Sequence, residues 1–210
     1  MGAGARVVLV AALAALAGAA ASLYFEPQVA LRLAGTEAGQ RVLQALYRVQ
    51  APPPPAGTPR AQVGAPVPAF RLATLDGRAT LLPAAWAGRT VLVNLWATWC
   101  PPCLKELPEL QAYARAQGRD GVLVAGIALD DPAAVRAFAG AHPINYQHWG
   151  DTPGPADAGV ILGNPAGMLP YSVLIGPDGR LLRTRLGPFR DGEDIRAWVA
   201  AAAAPAVSAR

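Results

Sequence analysis

A chain of 210 residues and 21.6 kDa has room for one domain of roughly 150 residues with its own core, and about 60 residues to spare. With 53% hydrophobic and 15% charged residues it is too apolar to be disordered throughout, and two cysteines exclude both a multiply stapled scaffold and an all-cysteine zinc site. The net charge of +4 sits mostly before position 61, since 13 Lys and Arg face 12 Asp and Glu from there on; no nucleic-acid surface is indicated.

Residues 7–25 carry no charge, and as a helix they would cover about 28 Å, enough to span a bilayer. They read as a membrane anchor or a cleaved signal peptide, because Ala19, Ala20 and Ala21 also satisfy the small-residue rule for cleavage. Residues 26–50 place Val29, Leu33, Val42, Leu46 and Val49 at partly helical spacing, so a juxtamembrane helix is expected. Four successive prolines, Pro52 to Pro55, then favour an extended spacer, giving a linker over 26–60, a domain over 61–204 and a tail over 205–210.

Within the domain, residues 69–74 and 78–82 flank Asp76-Gly77 as a hairpin. Residues 90–97 are β-rich and almost wholly apolar, as in a central strand covered on both faces. A helix is predicted over 101–117, a strand over 121–129, and a helix from Pro132 to about Gly140 capped by Asp131. A short helix over 155–162, strands over 171–175 and 180–186 around a Pro177-Asp178-Gly179 turn, and a helix over 191–203 complete the chain. This order implies an α/β sandwich with a central mixed sheet flanked by helices. The region holding His142 and His148 reads as a loop without chemistry, and Arg180, Arg183, Arg185 and Arg190 as a solvated basic strand.

Cys100 and Cys103 fall where the buried strand gives way to a helix, and their spacing permits a small disulfide ring. A structural staple across so short a loop gains little, and zinc would need His142 and His148 at an unsuitable distance in sequence. Redox chemistry accounts for the pair. Cys100, at the helix start, is the expected nucleophile and Cys103, one turn in, the resolving thiol. Pro101 and Pro102 offer no amide protons, so the Cys100 thiolate is expected to lie only moderately below the free thiol, as in a reductant.

Residues 91–110, VLVNLWATWCPPCLKELPEL, resemble the TlpA/ResA-like branch of thioredoxin-fold proteins, bacterial thiol-disulfide oxidoreductases tethered outside the cytoplasmic membrane; the resemblance covers about 63–203. It implies a thioredoxin-like fold behind an N-terminal anchor helix. Asn94 stands where cytoplasmic thioredoxins carry a buried Asp, Glu106 matches the branch's acidic residue, and Pro170 matches its cis-proline. Glu106 is then either a proton relay to the leaving sulfur or a solvated carboxylate offsetting the helix dipole. Pro170, if cis, would keep its ring against the sulfurs and turn the Leu169 backbone outward to pair with an extended substrate; if trans, it would do neither. Trp96 and Trp99 read as core and rim, with Trp99 beside the cysteines.

The resemblance implies a reductase of oxidised exported proteins such as apocytochrome c, fed by a membrane thiol-disulfide donor and held at the bacterial inner membrane with its catalytic domain in the periplasm. It is expected to act as a monomer, with no cofactor or metal beyond its own redox-active disulfide. Two alternatives belong to other classes. A copper-handling module of the same fold would use a wider cysteine spacing and a nearby histidine, and a thiol peroxidase would place its cysteine differently relative to the first helix.

Overall fold

The computed structural model describes Val8, residues 36–51 and residues 53–203. Apart from Val8, the expected anchor or signal segment therefore lies outside the described residues, as do 26–35 and the tail. Among the described residues no helix is long and apolar enough to cross a membrane. The helix expected within 26–50 is α1 (Glu37–Gln50). Thr36 caps it, its hydroxyl accepting from the Gly39 N–H at 3.1 Å. Val42, Leu46 and Val49 form an exposed apolar stripe along it.

The remaining elements are β1 (Phe70–Thr74), β2 (Ala79–Leu82), a 3-10 turn at Ala84–Trp86, β3 (Val91–Trp96), α2 (Pro101–Gln117), β4 (Leu123–Leu129), α3 (Pro132–Ala141), β5 (Gln147–Asp151), α4 (Ala158–Ile161), β6 (Tyr171–Ile175), β7 (Leu181–Leu186) and α5 (Gly192–Ala203). They build one mixed sheet in the order β2-β1-β5-β4-β3-β6-β7. Strands β3, β4 and β5 run parallel, and β1, β2, β6 and β7 pair antiparallel. The β1–β2 hairpin turns through Gly77, whose φ of +87° suits glycine. Asp131 caps α3 as its sequence position predicts, accepting from the Ala133 and Ala134 N–H groups.

Residues 147–151, expected to be a loop, instead form the strand β5, bonded to both β4 and β1. With three polar residues, a glycine and only five positions, QHWGD gives almost no periodic signal. Its tertiary neighbours make it a strand.

Alternation along the strands explains the core. Val91, Val93, Leu95, Ala125, Ile127, Val173 and Ile175 point to one face and pack with Trp86 and Trp149 in a single large cluster. The opposite face, under α2, is split. Leu92, Val124 and Leu174 pack with Leu110, Ile195 and Trp198, while Trp96 and Ala128 pack with the two cysteines, Leu107 and Val135. Between the two clusters one polar rung crosses five strands in register, from His148 through Gly126, Asn94 and Ser172 to Arg185. Every member of the rung is buried, Gly126 included.

Candidate active site

The site grows from the end of β3. All six residues of that strand are buried, so its direction is fixed by packing on both faces, and the chain leaves it through Ala97, Thr98 and Trp99. Asp130, which follows the adjacent parallel strand β4, holds this exit. Its Oδ2 accepts from the Thr98 N–H at 2.8 Å and from the Thr98 hydroxyl at 2.6 Å, and its Oδ1 from the Asp131 N–H at 2.7 Å. Burial pushes Asp130 up, but these bonds outweigh it and hold the carboxyl below the usual range.

Cys100 then takes the N-cap position of α2, and Pro101 and Pro102 fill the first two helical positions. Neither proline has an N–H, so Cys103 presents the first free amide of the helix, and that amide donates to Cys100 Sγ at 3.3 Å. The two sulfurs are joined at 2.08 Å, with Cα atoms 5.3 Å apart. Cys103 is fully buried and Cys100 retains 4% exposure, so the slightly more accessible cysteine is the residue expected to attack.

Trp96 lies wholly in the core and Trp99 stands 62% exposed beside the pair. Leu169 packs against the cluster containing both cysteines, and the Leu169–Pro170 bond is cis, which settles the choice left open in the sequence. Cys100, Cys103, Trp99, Leu169 and Pro170 thus meet at one end of the sheet.

Glu106 is buried to 1% exposure, which overturns the reading of it as a solvated carboxylate. Its Oε1 accepts from Asn94 Nδ2 at 2.7 Å and its Oε2 from the Phe189 N–H at 2.8 Å. Asn94 Nδ2 also reaches Ser172 Oγ at 3.2 Å, so Asn94 is a working member of the rung. Burial raises the Glu106 carboxyl to about 7, against the pull of the Phe189 amide, the Asn94 amide and the Arg185 charge. The carboxyl therefore exchanges its proton near neutral pH, one helical turn past Cys103.

Arg185 is a second correction. Far from lying on a solvated strand face, it is 5% exposed and pairs with Asp194 at 2.8 Å. No local spacing links Arg185 to Asp194 or Glu106 to Phe189, so neither was visible in sequence. The Thr98–Asp130 tie left a faint signal, two polar residues at the ends of adjacent buried strands. His148, too, is buried rather than in a loop, its Nδ1 bonded to the Tyr146 carbonyl at 3.0 Å.

Comparison with known proteins agrees with this geometry. The Redoxin family model matches residues 62–199. The thiol:disulfide interchange protein DsbE of Pseudomonas fluorescens biotype C is 41% identical over 90 residues, a match spanning 42% of this chain and 48% of that protein, about half its length. Sporulation thiol-disulfide oxidoreductase A of Bacillus subtilis is 27% identical over 139 residues, covering 63% of this chain and 79% of the relative. The thiol-disulfide oxidoreductase ResA of Bacillus cereus is 30% identical over 129 residues, covering 60% and 70%. Among solved structures, a thioredoxin-family thiol:disulfide interchange protein of Chlorobium tepidum TLS superimposes with a TM-score of 0.55 at 30% identity, covering 67% of this chain and 97% of that one. The chain belongs to the redoxin family, among its thiol-disulfide oxidoreductases of the ResA, DsbE and sporulation oxidoreductase A type.

Proposed function

We propose that this protein is a membrane-tethered, extracytoplasmic disulfide reductase of exported proteins, with apocytochrome c cysteines as one substrate class. The observation that carries this is the Cys100–Cys103 disulfide at the head of α2, with a buried carboxyl that titrates near neutrality one turn further on. In the reduced protein, the Cys100 thiolate attacks a substrate disulfide, forms a mixed disulfide and releases one substrate thiolate, which takes a proton. Cys103 then loses its proton and attacks Cys100 Sγ. The second substrate thiol leaves, and two electrons have passed from protein to substrate. Glu106 is the proton carrier for the leaving sulfur. Trp99 and Leu169-Pro170 form the rim where an extended substrate lies.

A membrane thiol-disulfide donor restores the dithiol. The apolar segment 7–25 and the proline spacer support a tether, which keeps reductant and donor at high effective concentration. The domain 61–204 works as a monomer on this reading. The deciding measurement is the reduction potential of the Cys100–Cys103 pair: below about −220 mV supports a reductase, and above about −150 mV refutes that direction. A Cys103→Ser variant should accumulate mixed disulfides through Cys100 in a membrane-fraction lysate, and none should form when Cys100 is also replaced.

A further inference from the structure

The donor that reaches Glu106 Oε2 is a loop amide, and a loop amide bonds well only where the loop is held. Phe189 lies in the connection between β7 and α5, and the Arg185–Asp194 pair grips it on both sides. Arg185 Nη2 donates to the Pro188 carbonyl at 3.0 Å and to Asp194 Oδ2 at 2.8 Å, while Nη1 donates to Asp194 Oδ1 at 3.2 Å. On the other side the Arg190 N–H donates to the same Asp194 Oδ2 at 3.1 Å. The guanidinium also lies over the Phe189 ring, 4.5 Å from its centroid. Helix α2 is also tied to the first residue of α5, where Glu109 Oε2 accepts from the Gly192 N–H at 2.9 Å.

We propose that Arg185 and Asp194 are positioning residues for the dithiol reaction: by clamping Pro188 and Arg190 they aim the Phe189 N–H at Glu106 and so set how readily Glu106 takes and gives its proton. The inference rests on Glu106 serving the cysteine pair as proposed above. The charged and titratable groups that act on Glu106 from the elements around it are Arg185 of β7, Asp194 of α5 and Tyr146 before β5, whose hydroxyl burial and the Glu106 charge push far up. Asn94 of β3 faces it as a neutral donor.

Field and clamp can be told apart by sign. Taken as bare charges, Arg185 lowers the Glu106 pKa and Asp194 raises it, so removing them would move the titration in opposite directions. Under the clamp, either removal frees the loop, weakens the Phe189 bond to the ionised carboxylate and moves the titration up. Asp194→Asn is nearly isosteric, but it offers a single acceptor oxygen where Oδ2 alone now takes three donors.

The experiment follows the Glu106 carboxyl carbon by NMR from pH 4 to 9 in the oxidised full chain, for the parent, Arg185→Gln and Asp194→Asn. Both variants are expected to shift the midpoint upward by about one pH unit. A downward or absent shift in Asp194→Asn overturns the clamp, and that variant alone decides if Arg185→Gln fails to fold. The pH profile of Cys100 alkylation in the reduced variants should move with the NMR midpoint, and an unmoved profile denies the pair its part in the dithiol reaction. Neither readout requires substrate turnover, so an error in the direction of electron flow would leave both unaltered.

Discussion

At the β7 end of the polar rung, Arg185 is buried with its ion-pair partner, a carbonyl and an aromatic ring, and the Glu106 carboxylate beside it accepts two bonds of 2.7 and 2.8 Å. At the β5 end, His148 is almost as deeply buried, but its ring packs edge-on to Trp96 and beside Tyr146, and its Nε2 has no hydrogen-bond partner among the described residues. Burial disfavours the charged form at both ends and so moves acid and base in opposite directions: Glu106 rises to about 7, and His148 falls to about 4. Only the end with donors keeps a group that changes charge near neutrality. The donors, rather than depth alone, distinguish a carboxyl that titrates near neutrality from a packed aromatic ring.

The largest expected effect sets the two ends against each other. The folded pKa of Glu106 lies above its ordinary 4.5, so the stability it contributes is complete below pH 4.5 and is lost as pH rises through about 7. The folded pKa of His148 lies below its ordinary 6.5, so its contribution is complete above pH 6.5 and is lost as pH falls through about 4. Each swing is on the order of 3 kcal/mol, and between them the two nearly cancel from pH 4.5 to 6.5. Single substitutions should unmask them. Relative to the parent, Glu106→Gln gains stability as pH rises from 4.5 past 7, and His148→Phe gains stability as pH falls from 6.5 to 4. Urea unfolding at pH 4, 5.5 and 7.5 measures both, and curves parallel to the parent's would break the comparison.

A smaller effect tests how the His148 end is packed. A Cβ at Gly126 would overlap the Nε2 and Cδ2 atoms of the His148 ring, so Gly126→Ala must displace the ring. The expected loss is about 2 kcal/mol by urea unfolding. In a His148→Ala background the same substitution should cost nothing, leaving a coupling of about 2 kcal/mol. Additive losses would mean that the ring is not what Gly126 accommodates.

Much of this was legible in the sequence because it is local. Proline pairs, an aspartate cap and an apolar run mark where β3 stops and where α2 and α3 start, and those signals act within a few residues. The cysteine pair follows from the same junction. What escaped acts across the chain: β5 is a strand only because β4 and β1 flank it, and Glu106 meets Phe189 across 83 positions. The basic residues around β7 look alike in sequence, yet Arg185 is sealed under α5 and Arg190 is exposed. A period of two locates a face of the sheet, but which polar side chain on that face is sealed depends on the helix laid over it.

Asp130 takes the comparison to a third titratable group. It too is buried, but with three donors on a rim open to solvent its bonds win and its pKa falls, the reverse of Glu106. Thr98→Val removes the hydroxyl bond and keeps the shape of the side chain and the backbone bond. The expected cost is about 1 kcal/mol in urea unfolding, with the Asp130 carboxyl moving up toward the ordinary range in an NMR titration. Because Thr98 lies two residues before Cys100, alkylation of Cys100 reads the same change as a shift in the position of the thiol. An unaltered Asp130 titration would mean that the Thr98 and Asp131 amides alone hold this carboxylate, and that the tie between β4 and the cysteine loop is carried by backbone.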